Sequence, residues 1–119
     1  MTNIRPANVL FLDLDASGEI VALVTRALNE TVNARYCQSD QLTLGVLADA
    51  NPDCVLFALF GPKMDAFQIV GLLGELNFNG ALMVIGPALE HADLVEAELR
   101  ALGPGKRLSL INPAPRQPE

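Results

Sequence analysis

Residues 52–67 have the sequence PDCVLFALFGPKMDAF, and this segment decides the fold of the chain. Its first half contains a short apolar run, which is typical of a strand covered on both faces in a parallel sheet. Its second half contains a loop with a proline and then the start of a helix. Open α/β sheets place their chemistry at the carboxyl ends of the strands. Ala58 stands near that end, and its methyl group can neither accept a phosphoryl group nor hold a metal.

Apolar runs and helical spacing alternate along the whole chain. The pattern predicts strands at 8–14, 34–38, 55–60, 81–85 and 108–111, and helices at 17–31, 40–50, 65–77 and 89–102. Such alternation favours a parallel sheet with right-handed crossovers and helices on both faces. The expected fold is therefore the flavodoxin-like three-layer α/β fold with strand order 2-1-3-4-5.

Local signals refine the helices. Ser17 and Asp65 are expected to act as N-caps of the first and third helices. Gly71 and Gly74 reduce the helix propensity of the third helix, which suggests close packing there. In the fourth helix, the apolar spacing places four residues on the buried face: Leu94, Val95, Leu99 and Leu102.

Composition limits the class of protein. A chain of 119 residues fits one domain, and no apolar run approaches the ~20 residues that a membrane span requires. The polar start has no signal-peptide core, so a cytoplasmic protein without membrane contact is expected. The net charge is −6 and the eight basic residues are scattered, which argues against direct nucleic-acid binding.

Cys37 and Cys54 have neither CxxC spacing nor a nearby histidine pair, so they are expected to be structural thiols. The predicted strand order separates them, and no disulfide is expected. His91 is the one histidine of the chain and is expected to be exposed and inert. Without a nucleophile–base pair or a glycine-rich phosphate loop, the sequence predicts no enzyme activity.

The domain is expected to span residues 1–112, followed by a Pro-rich tail or linker at 113–119. A doubly wound fold of this order normally continues with a helix after its fifth strand, and here that helix is missing. We expect either a fragment cut at a linker, which the tail favours, or another subunit or domain that covers the face.

The element order and the third-strand segment together resemble the receiver domain of two-component response regulators. In that family the segment typically follows the pattern Pro-Asp-x-Val-x-x-Asp-x-x-x-Pro-x-Met-Asp-Gly. The residues that match it in register are Pro52, Asp53, Val55, Pro62, Met64 and Asp65. The resemblance covers nearly the whole chain apart from the final helix.

The resemblance implies a magnesium-binding acidic pair after the first strand. Its two positions fall on Asp13 and Leu14, and Asp15 supplies a second carboxylate only after a shift of one residue. Magnesium prefers near-octahedral oxygen ligands, including phosphate oxygens. Asp13 and Asp15 are thus weak metal candidates, expected instead to serve a strand-end turn and a helix start. No metal or other cofactor is predicted.

The other phosphorylation groups of the family are also replaced. The phosphoacceptor aspartate falls on Ala58, and the hydroxyl residue after the fourth strand falls on Gly86. The lysine that precedes a proline after the fifth strand falls on Asn112, before Pro113. This combination resembles a degenerate pseudo-receiver. It implies a phosphorylation-independent interaction or dimerisation module that contacts a protein partner or a linked output domain. The alternative is a small-molecule sensor that binds a ligand in an apolar hollow near Leu14, Ala58 and Gly86.

Overall fold

Strands and helices alternate along the part of the chain that the computed structural model describes, residues 7–14, 18–28, 31–86, 90–102 and 107–111. The strands are β1 (Ala7–Leu12), β2 (Val32–Cys37), β3 (Cys54–Ala58), β4 (Ala81–Ile85) and β5 (Leu108–Ile111). The helices are α1 (Gly18–Leu28), α2 (Leu44–Ala50), α3 (Ala66–Glu75) and α4 (Ala92–Leu102), and a 3-10 turn (Ser39–Gln41) precedes α2. Among these helices, none has the length and apolar character that crossing a membrane requires.

The strands form one parallel sheet in the order β2-β1-β3-β4-β5. The predicted flavodoxin-like arrangement is confirmed. β2 lies at an edge and has only half-buried and exposed residues, whereas β1 and β3 are buried almost throughout. Since β1 separates β2 from β3, Cys37 and Cys54 lie on strands that are not neighbours, and both thiols are free as expected.

Successive strand residues point to opposite faces of the sheet and build two apolar layers. On one face, Leu10, Val55 and Phe57 pack with side chains from α2, α3 and α4. On the other face, Phe11 and Leu56 pack with side chains that include those of α1. Full burial of each large side chain contributes roughly 1.5–3 kcal/mol, so these layers hold the sheet between its helices.

α2 is shorter than the sequence predicts, and the expected helix over 40–50 is wrong in its first part. Thr43 has extended dihedral angles, and its hydroxyl accepts a hydrogen bond of 3.2 Å from the backbone N–H of Val46. A threonine in this geometry caps a helix, so α2 begins at Leu44. Leu42 lies before the cap but is buried in the core, which explains why its spacing suggested a helix.

α3 begins where the sequence places its cap. The carboxylate of Asp65 accepts a 2.9 Å hydrogen bond from the N–H of Gln68, whose side chain accepts a 3.0 Å bond from the N–H of Asp65. This reciprocal capping box satisfies two backbone donors at the start of the helix. The N-cap predicted at Asp65 is confirmed, whereas the one at Ser17 lies outside the described residues, as does the tail at 113–119.

The predicted buried face of α4 is partly wrong. Leu99 is fully buried and Val95 packs against the core, but Leu94 and Leu102 are 59% and 50% exposed. The helix contacts α3 and β5 through one side only, and Leu94 is turned about 140° from Leu99 around the helix axis. An apolar spacing therefore predicts the helix but not the width of the face that the rest of the chain covers.

Candidate functional site at the carboxyl edge of the sheet

Register brings the predicted site positions to one edge of the sheet. Phe11 of β1 pairs with Leu56 of β3, so Asp13 and Ala58, each two residues further on, lie at the same edge. Ala58 pairs with Ile85 of β4, which immediately precedes Gly86. This edge is where an open parallel sheet places its functional groups. Asp15 and Asn112, also assigned to the site, lie outside the described residues.

Both carboxylate oxygens of Asp13 are engaged by Ser39. Oδ1 accepts a 2.8 Å hydrogen bond from the backbone N–H of Ser39, and Oδ2 accepts a 2.5 Å bond from its hydroxyl. Ser39 is 1% exposed, and it opens the 3-10 turn that follows β2. A charged acceptor makes such hydrogen bonds short and strong. Asp13 therefore fastens the end of β1 to the segment after β2.

The backbone of Asp13 supports this contact. Its φ of 58° lies in the left-handed region, which a short polar side chain tolerates better than most. Its N–H donates a 3.0 Å hydrogen bond to the carbonyl of Cys37, one step beyond the last β1–β2 pair. β1 therefore ends at Leu12, two residues earlier than the sequence predicts.

The edge near Ala58 is filled by apolar groups. Gly86 is buried, and a Cβ built on it would lie 3.1 Å from Cδ2 of Leu59 and 3.6 Å from Cδ1 of Leu110. Leu59 itself is 2% exposed, and its N–H donates a 2.7 Å hydrogen bond to the carbonyl of Ile85. A hydroxyl side chain at position 86 would crowd Leu59. The hydroxyl residue that the resemblance implies at position 86 would thus require Leu59 to shift by a few tenths of an ångström.

Leu14 belongs to the other apolar layer. It is half-buried and packs in the layer beneath α1, together with Ile85 and Ile111. The second position of the expected acidic pair therefore contributes to folding rather than to a polar site. Among the described residues, no group of three or more His, Cys, Asp or Glu side chains is placed to hold a metal ion.

In the loop after β3, residues that match the third-strand motif have structural roles. The Met64 side chain packs against the core, and Asp65 caps α3. Gly61 approaches the carbonyl oxygen of Met64 so closely that a Cβ would collide with it. Phe60, between the strand and this turn, is 71% exposed. Met64, Asp65 and the preceding turn have structural roles that require no phosphorylation.

A cleft of about 420 Å³ lies at the same edge, shifted toward β2. Its lining includes Asp13, Leu14, Tyr36, Cys37 and Lys63, but neither Ala58 nor Gly86. Burial raises the pKa of the Cys37 thiol, and the nearby carboxylates of Asp13 and Asp40 raise it further. The thiol of this cleft is therefore held in its neutral, weakly nucleophilic form.

Ser39 and Tyr36 are the site residues that sequence reasoning missed. Ser39 follows β2 by two residues, and β2 lies beside β1, so the predicted strand order already put it near Asp13. That signal is weak, because serine is common in turns. Tyr36 lies on the edge strand, and its ring packs on that of Phe11 with centroids 5.2 Å apart.

Comparison with known proteins concerns the fold alone. The sequence matches no protein-family model and no curated protein. The receiver domain of the Francisella response regulator 1452 is similar at 15% identity and a TM-score of 0.58, over 87% of this chain and 83% of its own. The BeF3-activated N-terminal receiver domain of Klebsiella pneumoniae RstA is similar at 17% identity and a TM-score of 0.57, over 91% and 86%.

A flavodoxin is similar to nearly the same extent. The two-electron reduced flavodoxin of Megasphaera elsdenii has 13% identity and a TM-score of 0.55, over 87% of this chain and 84% of its own. At such identities the chemistry of these proteins does not transfer to this chain. What the likenesses and the strand order establish together is that the chain has the flavodoxin-like α/β fold of response-regulator receiver domains.

Proposed function

We propose that this chain is a receiver-like signalling domain of a two-component response regulator that works without phosphorylation. One observation carries the proposal: at the carboxyl edge, an alanine occupies the acceptor position, and even a Cβ at position 86 would lie only 3.1 Å from Cδ2 of Leu59. The fold and the third-strand motif support the receiver-like part of the proposal. The loss of the phosphorylation groups supports the pseudo-receiver part.

The edge residues are better suited to contact than to catalysis. A receiver needs an acceptor carboxylate, a bound magnesium ion and groups that neutralise phosphoryl oxygens. Here Ala58 has no nucleophile, and Asp13 uses both oxygens to bind Ser39. We therefore propose a regulatory module without enzyme activity or cofactor.

The proposed module acts in the cytoplasm through protein contact. Its partners are a separate protein or a linked output domain, and homodimerisation is one form that this contact takes. An acidic chain of net charge −6 is not expected to bind nucleic acid or an anionic membrane surface directly.

Labelling with acetyl phosphate tests the proposal directly. Incubation of the purified chain with radiolabelled acetyl phosphate and Mg²⁺ is expected to leave every carboxylate unlabelled. A working receiver domain treated in parallel provides the positive control. Stoichiometric labelling of an aspartate in this chain would overturn the proposal.

The Ala58→Asp variant sharpens this test. We expect it to remain unlabelled as well, because Asp13 stays bound to Ser39 and no hydroxyl stands at Gly86. Labelling is measured by intact-mass spectrometry, with circular dichroism to establish that the variant is folded. Stoichiometric labelling of this variant would mean that the edge is still a working site that lacks only its acceptor.

A second candidate function is a small-molecule sensor, which the cleft of about 420 Å³ favours. The cleft lies beside β2, not in the hollow between Leu14, Ala58 and Gly86 that the sequence suggests. Its lining includes the Tyr36 ring, which suits a planar group, and the Lys63 ammonium, which an anionic group would share with Asp40 at 3.7 Å.

Calorimetric titration with ATP and with benzoate tests the sensor. Binding that weakens at least about tenfold in Lys63→Ala and Tyr36→Ala would support it. Absence of heat with both probes at millimolar concentration would count against this use of the cleft. Binding by both variants with the affinity of the unchanged chain would count against it as well.

A further inference from the structure

A groove of about 590 Å³ separates α3 from α4 on the surface of the domain. Gly71, Gly74 and Glu75 line it from α3, Ala101 and Leu102 line it from α4, and two asparagines line it from the segment between α3 and β4. The groove lies on the face of the sheet that α2, α3 and α4 cover, away from the carboxyl ends of the strands. None of the site residues described above lines it.

The floor of the groove is open to an incoming side chain. A Cβ built on Gly71 would meet nothing within 4 Å, although this glycine lies in the middle of α3. The close packing that the sequence suggests at Gly71 is therefore not made by the residues that the structure describes. A glycine inside a helix is less favourable than an alanine, and the described residues show no contact at the Cβ position that would explain a glycine here.

Leu102 is the leucine that lines the groove, and Leu94 is a second exposed leucine of α4 that lies beyond the lining. Leu102 is 50% exposed, and Leu94, two helical turns earlier on the same side of α4, is 59% exposed. Glu98 lies between them, one turn before Leu102, and is exposed. Leucines at this spacing beside an open floor form the kind of surface that receives the apolar face of a helix.

Charge indicates which helix would fit. Glu75 lines the α3 wall and Glu98 lies on the α4 side, whereas no lysine or arginine is found among the lining residues that the structure describes. Arg100 of α4 is held by Glu96 at 2.7 Å and by the carbonyl of Leu108 at 3.0 Å, which directs it toward β5. An occupant with lysines or arginines beside its apolar face would therefore be complementary.

A second copy of this chain fits the groove poorly. A symmetric contact would bring Glu75 and Glu98 of one chain against those of the other, between two chains of net charge −6 each. Like charges at an interface disfavour association. We propose that the α3–α4 groove is a docking site for a basic amphipathic helix of a protein partner. This inference rests on the proposed function as an interaction module.

A designed peptide probes the groove. The peptide is helical, with leucines at i, i+3, i+4 and i+7 and lysines at the flanking positions, and it is titrated into the ¹⁵N-labelled chain. We expect amide shift changes centred on Gly71, Gly74, Ala101 and Leu102. A peptide with glutamates in place of the lysines is expected to bind at least about tenfold more weakly.

Matched variants separate the groove from the rest of the surface. Gly71→Leu fills the floor and is expected to weaken binding at least about tenfold, whereas Gly71→Ala keeps most of the space and most of the affinity. Glu98→Lys is expected to weaken binding several-fold, and Asp93→Lys, on another side of α4, is not. Thermal unfolding of each variant distinguishes lost binding from a lost fold.

Three results would overturn the inference: no shift change at millimolar peptide, shift changes elsewhere, or equal affinity of Gly71→Leu and Gly71→Ala. Self-association abolished by Gly71→Leu would identify a second copy as the occupant and would overturn it too. Peptide binding does not involve phosphorylation. A negative peptide result together with no labelling by acetyl phosphate would therefore reject the groove and leave the proposed function standing.

Discussion

Asp13 illustrates how the role of a residue depends on its partner. A carboxylate at the end of β1 has about four lone-pair sites, and each hydrogen bond that it accepts leaves fewer of them for an ion. Here Ser39 supplies a backbone N–H and a hydroxyl, and both carboxylate oxygens accept from it. The same side chain that suggests a site by its position thus serves to join two neighbouring strand ends.

Removal of the Ser39 hydroxyl is expected to destabilise the fold. Ser39→Ala leaves Oδ2 of Asp13 without this partner, which should lower the free energy of unfolding by about 1–3 kcal/mol. Urea denaturation measures the loss, and Ser109→Ala, at an exposed serine of β5, is the control with an expected change below about 0.5 kcal/mol.

A double-mutant cycle with Asp13→Ala isolates the contact, because the backbone cost at φ 58° enters both arms of the cycle. The expected coupling energy is about 1–2 kcal/mol. Additive effects of the two substitutions would show that the contact does not contribute to stability.

The thiol of Cys54 makes stability depend on pH in the alkaline range. Burial, the largest cause, raises its pKa from 9.0 to about 12, with Arg107 acting in the opposite direction. The unfolded chain therefore loses this proton near pH 9, while the native chain keeps it until about pH 12. Stability is fully present below pH 9 and should fall by about 1.4 kcal/mol per pH unit above it.

Comparison with Cys54→Ala assigns this pH dependence to one group. The variant is expected to be less stable at pH 8 because of the cavity, but to lose less stability between pH 9 and pH 10.5. Chemical denaturation at each pH provides the free energies. If both proteins decline equally, another group is responsible.

At the scale of single elements, two glycines have opposite roles. The Cβ of an alanine at position 71 meets open space within α3, so Gly71→Ala should raise the free energy of unfolding by about 0.5–1 kcal/mol. The Cβ at position 61 would collide with the carbonyl oxygen of Met64, so Gly61→Ala should lower it by about 1–3 kcal/mol.

Denaturation curves of the two glycine variants measure both changes, and each variant is the control for the other. Destabilisation by Gly71→Ala would mean that α3 is closer to a neighbour than the open groove indicates. A neutral Gly61→Ala would mean that the turn before Met64 shifts without cost.

At the scale of the whole molecule, one sheet supports both apolar layers. β1 pairs with β2 and β3 and contributes alternate side chains to the two faces. Unfolding of either layer would therefore expose one face of the same strands. We expect a single cooperative unfolding transition, as in most single domains of this size.

Tyr36 offers a native probe of that cooperativity. It is the only tyrosine, and the chain has no tryptophan, so intrinsic fluorescence reports the edge strand β2. Far-UV circular dichroism reports the helices and the sheet together. The two denaturation midpoints are expected to coincide, whereas an earlier fluorescence transition would mean that β2 separates first.

The sequence alone determined the alternation of elements and, through it, the strand order. Buried parallel strands are continuous apolar runs, and β4 and β5 match their predicted bounds because breakers flank them. The cap at Asp65 was also predictable, since a capping box is a local arrangement of four residues. The prediction that Ala58 stands in place of an acceptor aspartate came from one side chain in a motif that resembles that of receiver domains.

Tertiary structure alone decided which groups meet. The bond between Asp13 and Ser39, the packing of Leu59 against Gly86 and the exposure of Leu94 each depend on contacts between segments far apart in the chain. Periodicity specifies the direction of a side chain relative to its own element. It does not specify which group of another segment lies next to that side chain. The neighbouring group determines whether a carboxylate binds a metal or a serine, and whether a leucine is buried or exposed.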